Sequence, residues 1–192
     1  MAKLYFRYGA MGSSKTANAL MVHYNYIERG SNAVLLKPQL ENRDGEKIIK
    51  SRIGLKSECC YVEDFITEIG TNWDAAKKYD AVIVDECQFL SAEQVDWLSD
   101  LVDFAELPVI CYGLRTDFQS KFFPGSKRLM EIADKIEEIK TVCWCGRKAA
   151  INARISDGKS VRNGEQVMMS GNESYIAICR KHFKLGMLSA EK

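Results

Sequence analysis

A short loop near the start of the chain constrains its fold most strongly. The stretch RYGAMGSSKT, residues 7–16, follows the β-prone segment KLYFRYG and precedes a segment with helical spacing that closes on Gly30. This order of strand, loop and helix is typical of a phosphate-binding loop, whose backbone N–H groups converge on phosphate oxygens at a helix N-terminus. Lys15 and Thr16 stand where such a loop needs its lysine and its magnesium-binding hydroxyl.

Ser14 departs from the pattern G-x-x-x-x-G-K-[ST], which has glycine before the lysine. If the loop needs a left-handed backbone there, a side chain costs on the order of 1 kcal/mol or more. That cost is small beside a triphosphate held by many hydrogen bonds, so we expect a working loop with some loss of affinity. The alternative is an ordinary helix start whose serines cap the helix.

A second feature supports a nucleotide site. The stretch AVIVDE is an apolar strand that ends in Asp85 and Glu86. P-loop enzymes use a carboxylate at this place to hold magnesium, which leaves the second carboxylate for another task. Two solvated acids at a strand end are the simpler alternative, but their coincidence with a phosphate loop favours a nucleoside triphosphate site.

The rest of the first 140 residues alternates strands and helices. NAVLLKP predicts a strand stopped by Pro38, the polar residues 39–50 a loop, and residues 61–70 a short helix. Ser91 and Gln94 predict a capping box before another helix, LPVICYGL a further strand, and SKRLMEIADKI a further helix. This alternation predicts an α/β fold with a mostly parallel sheet flanked by helices, whose ligands bind beyond the carboxyl ends of the strands.

After about residue 140, the alternation of strands and helices gives way to short segments rich in glycine and cysteine. TVCWCGRKA, SDGKSVRNGE and YIAICRKHFK look like short strands joined by a flexible loop, too small to hold a core alone. Cys143 and Cys145, with Cys179 and His182, supply the two ligand pairs of a tetrahedral zinc site, which would stabilise this segment. Buried core cysteines are the alternative. We therefore predict two domains, residues 1–140 and 141–192.

Composition excludes several classes of protein. The 192 residues carry 27 basic and 26 acidic side chains, so no overall field attracts nucleic acid or an anionic membrane. No apolar run approaches the roughly 20 residues of a membrane span, and the N-terminus lacks a secretory signal. We expect a cytoplasmic protein with reduced or metal-bound thiols.

Six stretches together resemble one known family. They are YFRYGAMGSSKT, SRIGL, VDECQFL, CYGLRTDF, KTVCWCGRKA and GNESYIAICRKH, in this order. The chain resembles the zinc-containing, P-loop type of thymidine kinase, and the bacterial branch of that family along nearly its whole length. The resemblance implies a P-loop NTPase-like domain and a small zinc-binding domain that carries a lasso loop.

The resemblance also implies roles for individual residues. Glu86 would be the general base for the nucleoside 5′-hydroxyl, and Arg43 would offset charge at the transferred phosphoryl group. Glu41 stands where the family has aspartate before that arginine. The implied donor-binding residues are Gly9, Ala10, Met11, Gly12, Ser13, Ser14, Lys15, Thr16, Arg43, Asp85 and Gln88. The implied thymidine-binding residues are Met11, Phe89, Leu114, Phe118, Tyr175 and, in the lasso, Val167, Met168, Met169 and Ser170.

The implied activity is transfer of the ATP γ-phosphate to thymidine, which gives dTMP for pyrimidine salvage and DNA synthesis. The resemblance further implies Mg²⁺ with ATP, structural Zn²⁺, feedback inhibition by dTTP and a homotetramer. The charge balance leads us to expect no nucleic-acid or membrane partner. Two alternatives stay open at this point. One is a degenerate nucleotide-binding relative, which Ser14 favours, and the other is a P-loop ATPase with a zinc ribbon.

Overall fold

The computed structural model describes residues 1–43, 45–166 and 174–189. The elements in chain order are β1 (Leu4–Tyr8), α1 (Lys15–Glu28), β2 (Ala33–Lys37), β3 (Ile48–Lys50), β4 (Lys56–Glu58), β5 (Cys60–Tyr61), α2 (Val62–Ile69), α3 (Trp73–Ala76), β6 (Ala81–Val84), α4 (Ala92–Phe104), β7 (Val109–Gly113), α5 (Pro124–Ile132), β8 (Lys135–Glu138), β9 (Thr141–Val142), β10 (Lys148–Ala149), β11 (Ile151–Ser156), β12 (Lys159–Val161), β13 (Ser174–Ile178) and α6 (Arg180–Leu185). A 3-10 helix, Cys87–Phe89, lies between β6 and α4.

A six-stranded sheet forms the centre of the molecule. Its strand order is β5-β2-β6-β7-β1-β8, and every pairing between these strands is parallel. Parallel neighbours need crossover connections, which the helices supply. The carboxyl ends of the six strands therefore lie along one edge of the sheet.

Both faces of the sheet are covered by apolar side chains. Along β6, Val82 and Val84 pack on the side of α2 and α4, while Ala81 and Ile83 pack on the side of α1. Successive strand residues point to opposite faces, so a strand that is buried on both sides must be apolar throughout. This explains why the AVIV run carries no polar residue.

The C-terminal part has its own small sheets. β9 and β10 form an antiparallel pair, and β11 pairs antiparallel with β12 on one side and β13 on the other. Among the described residues, the buried members of their shared apolar cluster are few: Cys143, Ala149, Ala153, Ile178 and Cys179. A core this small needs an additional source of stability.

Most of the predicted elements are confirmed. The capping box is present, since Ser91 Oγ accepts from the Gln94 N–H and the Gln94 side chain accepts from the Ser91 N–H. The predicted face of α4, Val95, Leu98, Leu101 and Val102, is buried. Among the described residues, no helix has both the length and the apolar character needed to cross a membrane.

Three local predictions are wrong. Residues 48–50 form β3 instead of loop, because they pair with β4. The helix expected over residues 126–136 ends at Ile132, since the next residues turn away and form β8 beside β1. The residues after Cys179 form α6 and not a strand. In each case a partner elsewhere in the chain decided the local conformation, which propensity alone does not reveal.

Candidate active site and metal centre

The candidate active site lies at the carboxyl edge of the main sheet. The phosphate-binding loop follows β1, the two acidic residues follow β6, and Leu114 follows β7. The Gly9 N–H donates to the Gly113 carbonyl at 3.2 Å, which joins the start of the loop to the end of β7. Parallel strand order thus brings together residues that lie about a hundred positions apart.

The loop has the left-handed turns that the sequence predicts. Gly12 has φ 75°, and Ser14 has φ 62° and ψ 25°. Ser14 therefore adopts the strained left-handed conformation, and the alternative of a serine that caps the helix is wrong because its side chain makes no capping hydrogen bond. A side chain at Gly9 would meet Ser13 Oγ at 2.3 Å and the Ile139 carbonyl at 2.4 Å, so the loop needs glycine there.

Lys15 is folded back into its own loop. Its ammonium donates to the Ala10 carbonyl at 3.0 Å and lies 3.4 Å from Ser13 Oγ, and the residue is only 8% exposed. Burial lowers the pKa of Lys15, while the negative charges of Glu86 and Asp85 act in the opposite direction. A buried ammonium whose partners are a neutral carbonyl and a neutral hydroxyl would bind an anionic partner more strongly.

Asp85 is a buried carboxyl group beside the loop. It is 3% exposed, and the Thr16 side chain of the loop lies near it. Burial, together with the charge of Glu86, raises the pKa of Asp85 to about 7, although Thr16 and Lys15 lower it. The carboxylate and the hydroxyl are both oxygen donors of the kind that Mg²⁺ prefers, so this pair fits a magnesium ion.

The Glu86 side chain is held by two neighbours, Arg43 and Gln88. Its Oε1 accepts from Arg43 Nη2 at 2.8 Å and its Oε2 accepts from Gln88 Nε2 at 2.5 Å. Gln88 is fully buried, and its Oε1 accepts from the Leu114 N–H at 3.0 Å. Glu86 itself has φ 52°, a strained conformation that costs on the order of 1–3 kcal/mol in a residue other than glycine. The surrounding hydrogen bonds therefore fix this carboxylate.

The predicted acceptor residues lie around the end of β7 and on the C-terminal sheet. Phe118 is 1% exposed, and Phe89 contacts Phe123 edge-on with ring centroids 5.9 Å apart. Met11, Leu114 and Tyr175 are half-buried. Residues 167–170, predicted as the lasso contacts, lie outside the described residues.

Two buried polar residues that support this region were missed in the sequence analysis. The Arg154 guanidinium lies 3.7 Å above the Phe118 ring and donates to Tyr175 Oη at 2.8 Å, so it ties two predicted acceptor residues together. Asn152 Oδ1 accepts from the Met11 N–H at 2.7 Å, which joins β11 to the phosphate loop. The alternating strand pattern of INARIS signals that some of these residues face inward, but it does not identify their partners.

The four predicted zinc ligands lie together in the C-terminal part. The ligand atoms of Cys143, Cys145, Cys179 and His182 all lie within 4.8 Å of one another. Cys143 Sγ lies 3.4 Å from His182 Nδ1, and the Trp144 ring stacks on the His182 ring at 4.1 Å. Thiolate sulfurs around one tetrahedral zinc are separated by roughly 3.7 Å, given a Zn–S distance of about 2.3 Å. The donor set and its spacing therefore fit zinc.

Comparison with known proteins identifies the family. A family model described as thymidine kinase matches residues 2–183. The thymidine kinase of Shewanella oneidensis is 46% identical over 187 residues, covering 96% of this chain and 97% of the relative. That of Lactiplantibacillus plantarum is 48% identical over 188 residues, covering 95% and 96%. The chain belongs to the thymidine kinase family.

Membership of the thymidine kinase family confirms the resemblance seen in the sequence and makes the protein an enzyme. Similarity to solved structures is weaker. AMPPCP-bound DnaA from Aquifex aeolicus aligns with a TM-score of 0.44 at 18% identity, over 72% of this chain and 40% of the DnaA chain.

We predict that Ser14→Gly raises the free energy of unfolding of the donor-free protein by up to about 1 kcal/mol, because it removes the left-handed strain. Ser14→Val should lower it, since a branched side chain is strongly disfavoured at positive φ. Urea denaturation measures both. The strain is already present in the donor-free loop, so it lowers stability and not the affinity that the sequence led us to expect; ATP affinity should therefore change little in Ser14→Gly.

The matched control is Ser31→Gly, because Ser31 does not have a positive φ. It should bring no gain, because glycine there only adds conformational freedom to the unfolded chain. A loss of stability in Ser14→Gly equal to that in Ser31→Gly would contradict the strain assignment.

Proposed function

We propose that the protein transfers the γ-phosphate of ATP to the 5′-hydroxyl of thymidine and releases dTMP. The observation that carries this proposal is the fixed Glu86 carboxylate just after β6, directly after the Asp85 carboxyl, which lies near Thr16 of the phosphate loop. An alcohol that attacks a phosphoryl group needs a base within hydrogen-bond reach, beside the donor. Family membership makes thymidine the acceptor that we favour.

The phosphate loop is the donor site in this proposal. Backbone N–H groups of the loop would surround the phosphates, apart from those of Gly9, Met11 and Ser13, which donate within the protein. Lys15 would exchange the Ala10 carbonyl for a phosphate oxygen. Asp85 and Thr16 would hold Mg²⁺, which would neutralise charge on the phosphates. The Asp85 carboxyl must lose its proton to act as a ligand, which the positive charge of a bound cation favours.

Glu86 and Arg43 act at the reacting atoms. Glu86 accepts the proton of the 5′-hydroxyl as the oxygen attacks phosphorus. Arg43 leaves Glu86 when the donor and acceptor bind, and its guanidinium then offsets charge on the transferred phosphoryl group. Gln88 keeps the carboxylate in place through its hydrogen bonds to Glu86 and to the Leu114 backbone.

The nucleoside base binds on the other side of Glu86 in this proposal. Apolar contact comes from Met11, Phe89, Leu114, Phe118 and Tyr175, and Arg154 holds the last two in place. The backbone of residues 167–170 supplies the hydrogen bonds to the pyrimidine edge. Backbone groups suit this task because their donors and acceptors have fixed spacing.

The remaining expectations from the family stay proposals. They are the division into residues 1–140 and 141–192, structural zinc, a homotetramer, inhibition by dTTP, and a cytoplasmic location. Because Asn152 accepts a hydrogen bond from the Met11 N–H, we also propose that the C-terminal part positions the phosphate loop as well as the nucleoside base.

A single assay tests the function. Purified protein is incubated with ATP, Mg²⁺ and labelled thymidine, and dTMP is the expected product. ATP hydrolysis that DNA stimulates, without dTMP, would support an ATPase with a zinc ribbon. Nucleotide binding with neither reaction would support a degenerate relative.

We predict that Glu86→Gln lowers kcat by roughly 10²–10⁴-fold, the usual contribution of a positioned base. ATP affinity should stay within about twofold, because the phosphate loop is unchanged. Glu68→Gln is the control, since Glu68 is an exposed glutamate paired with Lys78 away from the site. A normal kcat with weakened ATP binding in Glu86→Gln would contradict the role of Glu86 as base.

We predict that the purified protein contains zinc and that Cys179→Ser loses it. The thermal midpoint should fall with the zinc, because the small C-terminal core lacks stability of its own. Cys60→Ser is the control at an exposed cysteine and should retain the metal. Metal analysis and thermal unfolding measure both effects, and a wild-type protein that is stable and free of zinc would exclude this site.

A further inference from the structure

Lys37, at the carboxyl end of β2, is a lysine buried in the interior of the protein. Its side chain is 1% exposed, and its ammonium donates to the Gly45 carbonyl at 2.8 Å and to the Ile48 carbonyl at 2.9 Å. Lysine is almost never fully buried unless it is paired. The family resemblance assigns this residue no task, so its burial needs an explanation.

The partner of Lys37 is Glu41. Glu41 Oε2 lies 3.5 Å from Lys37 Nζ, and the Glu41 side chain is only 6% exposed. Burial alone would raise the pKa of Glu41, but the hydrogen bond and charge of Arg43 and the charge of Lys37 outweigh it and lower this pKa. Glu41 is therefore a buried, ionised carboxylate between two cations.

The second cation, Arg43, also pairs with Glu86, the proposed general base. Glu41 Oε1 accepts from Arg43 Nε at 2.7 Å, and Arg43 Nη2 donates to Glu86 at 2.8 Å. The Arg43 side chain is 59% exposed. Holding so long and exposed a side chain in one rotamer is opposed by its side-chain entropy. Among the described residues, its ion-pair partners are Glu41 and Glu86.

These contacts form a chain of alternating charges from the core to the reacting carboxylate: Lys37, Glu41, Arg43 and Glu86. When Arg43 releases Glu86 to reach the phosphoryl group, Glu41 becomes its remaining anchor. The position of Glu41 depends in turn on Lys37, which also fastens the far end of the same loop through Gly45 and Ile48.

We propose that Lys37 is a positioning residue for the reaction, which acts through Glu41 to place the Arg43 guanidinium. This inference rests on the proposed function. The Glu41 carboxylate contacts Lys37 with one oxygen and Arg43 with the other. Lys37 touches neither the phosphates nor the nucleoside.

The first test is a double-mutant cycle in the full-length protein with its metal. Lys37→Met should lower kcat at least tenfold and leave the KM for thymidine within about twofold. In the Arg43→Ala background the same change should lower kcat less than twofold, because Arg43 is already absent. An equal loss of kcat in both backgrounds would overturn the proposal, since it would indicate a general structural effect.

The matched control is Lys47→Met. Lys47 belongs to the same loop, but its ammonium pairs with Asp64 and does not contact Glu41 or Arg43 among the described contacts. Its removal should leave kcat within about twofold. If Lys47→Met lowers kcat as much as Lys37→Met, the effect comes from the loop in general and the proposal fails.

A second variant covers the case in which Lys37→Met does not fold. Glu41→Gln keeps the shape of the side chain and removes the charge that links the two cations. It should lower kcat at least tenfold alone and less than twofold in the Arg43→Ala background. Full activity of Glu41→Gln would overturn the proposal.

A structural readout separates this inference from the proposed function. A crystal structure of donor-free Lys37→Met, or of Glu41→Gln, should show Arg43 Nη2 more than 4 Å from Glu86 Oε1, compared with 2.8 Å in the parent protein. An unchanged pair would overturn the inference whatever reaction the protein catalyses. If the parent protein forms no dTMP in the kinase assay, only the proposed function is contradicted.

Discussion

Parallel alignment of the central strands is the constraint on which the rest of the structure depends. Because β1, β2, β6 and β7 run in the same direction, the residues that follow them meet at one edge of the sheet. The phosphate loop, the loop with Arg43, the acidic pair and Leu114 are those residues. The strands are apolar on both faces, so the hydrophobic core that stabilises the sheet also fixes the relative positions of the site residues.

Two residues at this edge carry backbone strain. Ser14 and Glu86 both have φ near 60°, in the region that only glycine enters freely. Each follows a rigid strand or a tight turn and precedes a helical segment, so the surrounding structure holds it in place.

The charged groups of the donor-free site are paired with one another. Lys15 binds a carbonyl of its own loop, and Arg43 binds Glu86 and Glu41. In the proposed reaction, the phosphates and the acceptor hydroxyl replace these internal partners, so side chains that are already held at the site need little further reorganisation. The buried Lys37 and Glu41 provide the fixed part of this arrangement, while Lys15 and Arg43 provide the part that moves.

The sequence by itself determined the elements whose signals are local. Loop chemistry at residues 9–16, the acids after an apolar run, the Ser91 capping box and the spacing of cysteine and histidine all depend on neighbours within a few positions, so they could be predicted. Only the tertiary structure decided the conformations of residues 48–50, 133–138 and 180–185, and the partners of Lys37, Asn152 and Arg154. A buried polar side chain takes its role from groups far along the chain, and strand order sets which groups those are.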